Sequence, residues 1–133
     1  EKTNAMQMKP VIEENPDTQF VLFHGGYPWI QDVCALVHSF PNVYADICWL
    51  PILSGPSCKS LVREMIEVGT TDRMMWGCDT WTSEESYGAM IAAKRVLSAV
   101  FAEYVDDGYL SFTDAIEFMD YIFYRNPKEV FRL

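Results

Sequence analysis

Three short apolar runs separated by helical stretches constrain this chain more than any other feature. They are Gln19–Phe23 (QFVLF), Val43–Cys48 (VYADIC) and Met74–Cys78 (MMWGC), which places strands near 19–24, 43–48 and 74–79. The first and third are nearly continuous rather than alternating, the pattern of strands covered on both faces, as in parallel sheets. Between the first two, Trp29–Phe40 puts Ile30, Val33, Cys34 and Val37 on one helical face, with Pro28 as a first helical residue. Between the second and third, Ser57–Val68 aligns Leu61, Met65 and Val68, and Gly69 is the stop. The order strand–helix–strand–helix–strand is the βαβ pattern of an α/β fold with a parallel sheet.

Helices dominate the rest. Thr82 and Glu85 form a capping box before a long helix in which Tyr87, Met90, Lys94, Leu97, Phe101 and Tyr104 follow helical spacing as a core-facing stripe. Asp106-Asp107-Gly108 ends it. A further helix starts at Ser111, with Asp114 three residues on, and runs to about Tyr124. Asn126-Pro127 caps a last turn through Phe131, so terminal helices occupy 84–131. Another helix begins near Pro10 and stops at Asn15-Pro16. No repeat or linker divides residues 1–133, which read as a single domain. Three parallel strands leave two apolar edges, which soluble proteins avoid. A closed (β/α)8 barrel needs roughly 250 residues. The chain therefore reads as a fragment, or as one that completes its sheet by association, as a homo-oligomer or with a missing N-terminal half.

Composition excludes several classes. With half of its residues hydrophobic, the chain can build a core. A net charge of −9 and a pI near 4.5 argue against nucleic acid and against an anionic membrane surface. Cys34, Cys48, Cys58 and Cys78 form no C-x-x-C pair, and two histidines are too few for a zinc finger. Buried free thiols suit a reducing compartment. A polar N-terminus shows no signal peptide, and no apolar run approaches the ~20 residues of a membrane span. The expectation is a cytoplasmic protein.

In parallel α/β folds, sites form at the C-terminal ends of strands. His24 follows the first run and precedes Gly25-Gly26; Asp79 follows the third and precedes Thr80-Trp81. An imidazole and a carboxylate there can share a divalent metal, and the carboxylate can take a proton from metal-activated water. The alternative is structural: a satisfied strand-end histidine and a turn-forming aspartate. Asp46, inside the second strand, lines the mouth of the sheet or pairs with Arg63 or Arg73, pairing being favoured. Trp29, Trp49 and Trp81 follow strand ends and either wall a substrate pocket or simply pack. His38 reads as a helix C-terminal cation, Glu84-Glu85 as helix N-terminal charge, and Cys78 as an inert buried thiol.

The motifs taken together resemble the amidohydrolase-related family. FVLFHGGYPW is similar to its sixth-strand segment, where a histidine ends the strand. WGCDTW is similar to its eighth-strand segment, where an aspartate does, and NVYADICW sits where the seventh belongs. The Glu-Ser-Tyr-Gly-Ala helix, the Gly-Tyr-Leu-Ser turn and Asn-Pro-x-x-x-Phe-x-Leu continue the likeness over almost the whole chain. The resemblance implies the C-terminal half of a (β/α)8 TIM barrel, seen as its last three βα units. It implies one or two divalent metals, zinc first and manganese possible, at the barrel mouth. It implies His24 as metal ligand or substrate-orienting group, Asp79 as metal ligand or general base, and hydrolysis of a small carbonyl-type substrate.

The sequence also departs from the family. The first-strand His-x-His pair and the fifth-strand histidine are absent, so this chain is expected to be inactive alone and to hold no metal without further ligands. Related members decarboxylate, hydrate or isomerise instead, which keeps a decarboxylase or isomerase open. A non-catalytic truncated barrel acting through self-association is the other alternative. A flavodoxin-like phosphate binder would need a phosphate loop, which His24-Gly25-Gly26-Tyr27 does not supply.

Overall fold

A computed structural model describes residues 3–133. A 3-10 turn (Ala5–Met8) leads into α1 (Lys9–Glu14), with Pro10 in its first turn, where a missing N–H costs nothing. β1 (Phe20–Leu22), α2 (Ile30–Ser39) and β2 (Val43–Asp46) follow. Next come α3 (Leu50–Leu53), α4 (Gly55–Glu67) and β3 (Met74–Met75). The chain closes with α5 (Ser83–Asp106), α6 (Phe112–Asp120), a π turn (Tyr121–Arg125) and α7 (Asn126–Phe131). The three strands pair in parallel in the order β1-β2-β3, with Phe20 beside Val43 and Ala45 beside Met74. The expected α/β arrangement is what forms: a partial barrel-type layer with an open sheet.

One sheet face carries the core. Val43, Ala45 and Ile47 gather with Val33 and Val37 of α2, Leu61 and Met65 of α4 and Leu97 of α5, all fully buried. The period of two sends Tyr44 and Asp46 to the opposite face. On α5 the buried set is Ala89, Ala93, Val96, Leu97, Val100 and Phe101. The expected stripe is thus right at Leu97 and Phe101 but not at Tyr87 and Lys94, which are exposed. Ala89 and Ala93 take the buried positions at that end instead.

The strands are shorter than expected, for local reasons. β1 stops because the chain rolls into a 3-10 turn at Phe23–Gly26, with left-handed angles at His24 and Gly25. β3 stops because its next amide, Trp76 N–H, donates to Ile122 O of the π turn instead of a strand. Asn126 Nδ2 donates to Met74 O at 2.7 Å from a buried position. The tail thereby covers the outer edge of β3, so only the β1 edge remains open among the described residues. Asn126 was expected to cap the last turn; it ties that turn to the sheet.

Helix ends mostly follow the sequence. Thr82 Oγ1 accepts from Glu85 N–H, but Glu85 answers to Trp81 N–H, so the capping box is half formed. Ser111 and Asp114 complete theirs in both directions. α2 starts at Ile30 rather than at Pro28, because Trp29 N–H closes a turn onto Gly26 O first. Gly69 takes the left-handed angle expected of a helix stop. The four cysteines are free thiols. No helix among the described residues is long and apolar enough to cross a membrane.

Candidate metal centre

The ends of all three strands turn on a left-handed residue that is not glycine. His24 has φ 59°, Trp49 φ 59° and Asp79 φ 49°. That region costs an L-residue roughly 1–2 kcal/mol, and such strain gathers at functional sites. Gly25 and Gly26 let the first turn close. A Cβ on Gly25 would stand 2.5 Å from Leu61 Cδ1, and one on Gly26 2.2 Å from Val33 Cγ2. The tight turn thus presses the His24 loop onto α2 and α4 and sets the imidazole above the sheet.

His24 and Asp79 meet across the end of the middle strand. His24 Nε2 lies 3.9 Å from Asp79 Oδ2, with both side chains partly exposed. On the other side of the ring, His24 Nδ1 lies 3.2 Å from the Cys48 carbonyl oxygen. A carbonyl only accepts, so Nδ1 carries the proton and donates. When the imidazole is neutral, Nε2 then presents a lone pair to a carboxylate oxygen. Two facing acceptors are reconciled either by a cation between them or by a proton on Nε2, which makes the contact an imidazolium–carboxylate ion pair. Metal–nitrogen and metal–oxygen bonds of about 2.0–2.2 Å span up to roughly 4.2 Å, so the pair fits one divalent ion.

Cys48 completes a triangle with these two residues, its Sγ within 4.8 Å of a ligand atom on each. Burial first, and the Asp46 charge second, push its thiol up to about 12 in the metal-free chain. A thiol ligates as thiolate, and a divalent ion at the site would draw off that proton, so Cys48 stands as a third candidate donor beside imidazole and carboxylate.

Asp46 sits behind them, buried, with Oδ1 accepting from Cys48 N–H at 2.7 Å and Gly77 N–H at 3.2 Å. Burial raises its pKa above the usual carboxylate value; the two N–H bonds and nearby His24 oppose that. The expected pairing with Arg63 or Arg73 does not form. Arg63 binds Glu103, and Arg73 donates to the carbonyls of Val37 and Phe40. Asp46 instead splices the ends of β2 and β3, a role visible only once the register is known.

The tryptophans separate. Trp49 packs edge-on against His24, ring centroids 5.9 Å apart. Trp81, two residues after Asp79, is 97% exposed. Trp29 turns away and lines a shallow cleft with Gln31 and Ser60 between α2 and α4, because the turn at Gly26 has already redirected the chain. Phe23, the last residue of the first apolar run, is exposed beside His24 at a ring distance of 6.3 Å. His38 lies in the last turn of α2, as expected. Cys78 is not buried, and hydrogen bonds from Thr80 and Ser86 lower its pKa, which departs from the expected inert thiol. An apolar groove of about 400 Å³ between α5 and α6 contains none of these residues.

The family described as amidohydrolase matches the chain over residues 1–133. Protein FluG of Emericella nidulans is 28% identical over 134 residues, which is 99% of this chain and 16% of FluG. A crystal structure of a protein described as a metal-dependent hydrolase, from Lactobacillus casei, superposes with a TM-score of 0.83 at 23% identity. It covers 97% of this chain and 34% of that one, so the chain spans a minor part of either relative.

Proposed function

The chain belongs to the amidohydrolase family, and from that premise we propose that it provides part of a divalent-metal site for hydrolysis of a carbonyl-type small molecule. The observation that carries the proposal is the 3.9 Å approach of His24 Nε2 to Asp79 Oδ2, with Nδ1 held by the Cys48 carbonyl. A neighbour described as a metal-dependent hydrolase supports the reading. His24 and Asp79 would hold the ion, and imidazole plus carboxylate suits zinc first and manganese, iron or nickel next. When bound, the ion supplies Lewis acidity, polarising a carbonyl and acidifying water.

The chain's own residues do the rest. The Cys48 carbonyl fixes the His24 tautomer and keeps its lone pair forward. Asp79 has a second carboxylate oxygen to take the proton of attacking water. Trp49 and Trp81 wall the substrate side. Asp46 holds the ends of β2 and β3 together beneath them.

His24 and Asp79 alone fall short of the three donors usual in catalytic zinc sites, and Cys48, which must lose its proton to ligate, is the third that this chain offers. Further ligands come from outside these residues, from a second copy or from additional barrel strands added at the open β1 edge. The 133-residue chain by itself therefore binds metal weakly and turns over little substrate. A second reading, a non-catalytic domain acting through self-association, is favoured by the same shortage of donors. Equilibrium dialysis of the chain against a series of zinc concentrations, with His24→Asn and Asp79→Asn beside it, tests the site. Saturable zinc uptake by the native chain, lost in both variants, is the expected result. Equal zinc in all three sinks the proposal. Light scattering on the same samples reads the association, and a monomer at every concentration removes the second-copy version.

A further inference from the structure

We propose that the portion of the site built by this chain receives a flat apolar group without negative charge, an uncharged or cationic aromatic ring, against Trp49 and Phe23 beside His24. The proposal rests on the metal-site reading and adds the class of substrate that the site selects.

Large apolar side chains are left in solvent here. Phe23 is 54% exposed, Trp49 43% and Trp81 97%, although Trp49 and Phe23 flank the His24 ring. Aromatic walls beside a few polar groups are the usual lining of small-molecule sites. Each ring offers a face that stacks on another flat group.

The charge around them is one-sided. The chain has ten Lys and Arg residues, and none falls within 23–29, 47–54 or 76–82, the three strand-end loops. Three of its cations are engaged elsewhere: Arg63 with Glu103, Arg125 with Glu117 and Asp120, and Arg73 on backbone carbonyls. Asp46 and Asp79 stand at the site, and Glu84 and Glu85 open the helix just after it. An anionic substrate body would lose water beside carboxylates with no counter-cation from these loops. A cation would gain from the ring faces instead. A metal ion attracts the reacting end of a substrate, so selection by the loops acts on the body that projects away from it.

Three probes share one ring and differ in charge: benzylamine, benzyl alcohol and benzoate. Each is titrated into the chain in EDTA, where no metal can recruit the carboxylate, and followed by saturation-transfer NMR. Benzylamine and benzyl alcohol should bind saturably, with benzoate weaker by about tenfold or more. Trp49→Asn, which tolerates the left-handed backbone, should weaken benzylamine by a similar factor. Trp81→Ala, at a fully exposed position, gives a second variant with no risk to folding. Benzoate binding as tightly as benzylamine, no saturable binding of any probe, or binding indifferent to both variants overturns the proposal. Zinc uptake is read separately on the same chain. Zinc uptake with benzoate preferred removes the charge selection and leaves the metal site; ring binding without zinc uptake does the reverse.

Discussion

His24 Nε2 stands 3.9 Å from Asp79 Oδ2, and both residues hold left-handed backbone angles to do so. They come from the ends of β1 and β3, with β2 between them. Neither an ordinary strand end nor a relaxed turn would aim both side chains at one point. The backbone strain and the facing side chains are what the proposed shared ion would require of the pair.

Backbone strain and chemistry at His24 are separable by substitution. Asparagine accepts a left-handed angle; valine does not. His24→Asn should abolish zinc binding while leaving urea stability within about 0.5 kcal/mol. His24→Val should abolish zinc binding and also cost about 1–2 kcal/mol. Equal stability of the two variants would mean that the turn relaxes when the ring is removed.

The glycines differ in what surrounds them. Gly25→Ala meets both a positive φ and a Cβ contact of 2.5 Å with Leu61, so overpacking adds to strain and the loss should reach about 3 kcal/mol. Gly69→Ala has a positive φ with nothing within 4 Å, and should cost only about 1 kcal/mol. Gly25→Ala should also weaken zinc binding, since the His24 loop moves with it; Gly69→Ala should not. Chemical denaturation and equilibrium dialysis read both.

Asp46 gives a pH dependence of reversed sign for a carboxylate. Burial raises its pKa in the folded chain above the unfolded value of 3.8. Between those two values the folded state binds more protons, so this group's contribution to stability falls as pH rises from 3.8 through the folded value. Asp46→Asn keeps an oxygen for Cys48 N–H and Gly77 N–H and removes the titration. The stability of the variant relative to the native chain, measured in EDTA, should rise with pH across that window. A difference that stays flat, or falls, would contradict the burial of an ionised group.

The tail holds the sheet through one side chain. Asn126→Ala leaves the Met74 carbonyl without its donor in a buried setting, at a cost of about 1–3 kcal/mol. The Trp76 amide should then exchange hydrogen faster, because its partner Ile122 belongs to the same tail. Native exchange rates in the variant would show that the π turn docks without Asn126.

Sequence alone determined the parts whose physics is local. Continuous apolar runs read as parallel strands or core helix, and their length decided for strands; β3 is buried as expected, whereas β1 is only half-buried because its outer edge is open. Strand-end position, joined to family motifs, put His24 and Asp79 forward as candidates from a chain with two histidines and many acids. Thr82, Ser111 and Gly69 marked helix ends because capping depends on neighbours in sequence. Tertiary structure decided everything that depends on two distant segments meeting. The approach of His24 to Asp79, and the partners of Asp46, follow from register across β1, β2 and β3, which no local pattern encodes. The turn at Gly26 sent Trp29 away from the site and left Phe23 beside it. The closing of the β3 edge by Asn126 spans 52 positions, and nothing near residue 126 announces a carbonyl in need of a donor at residue 74.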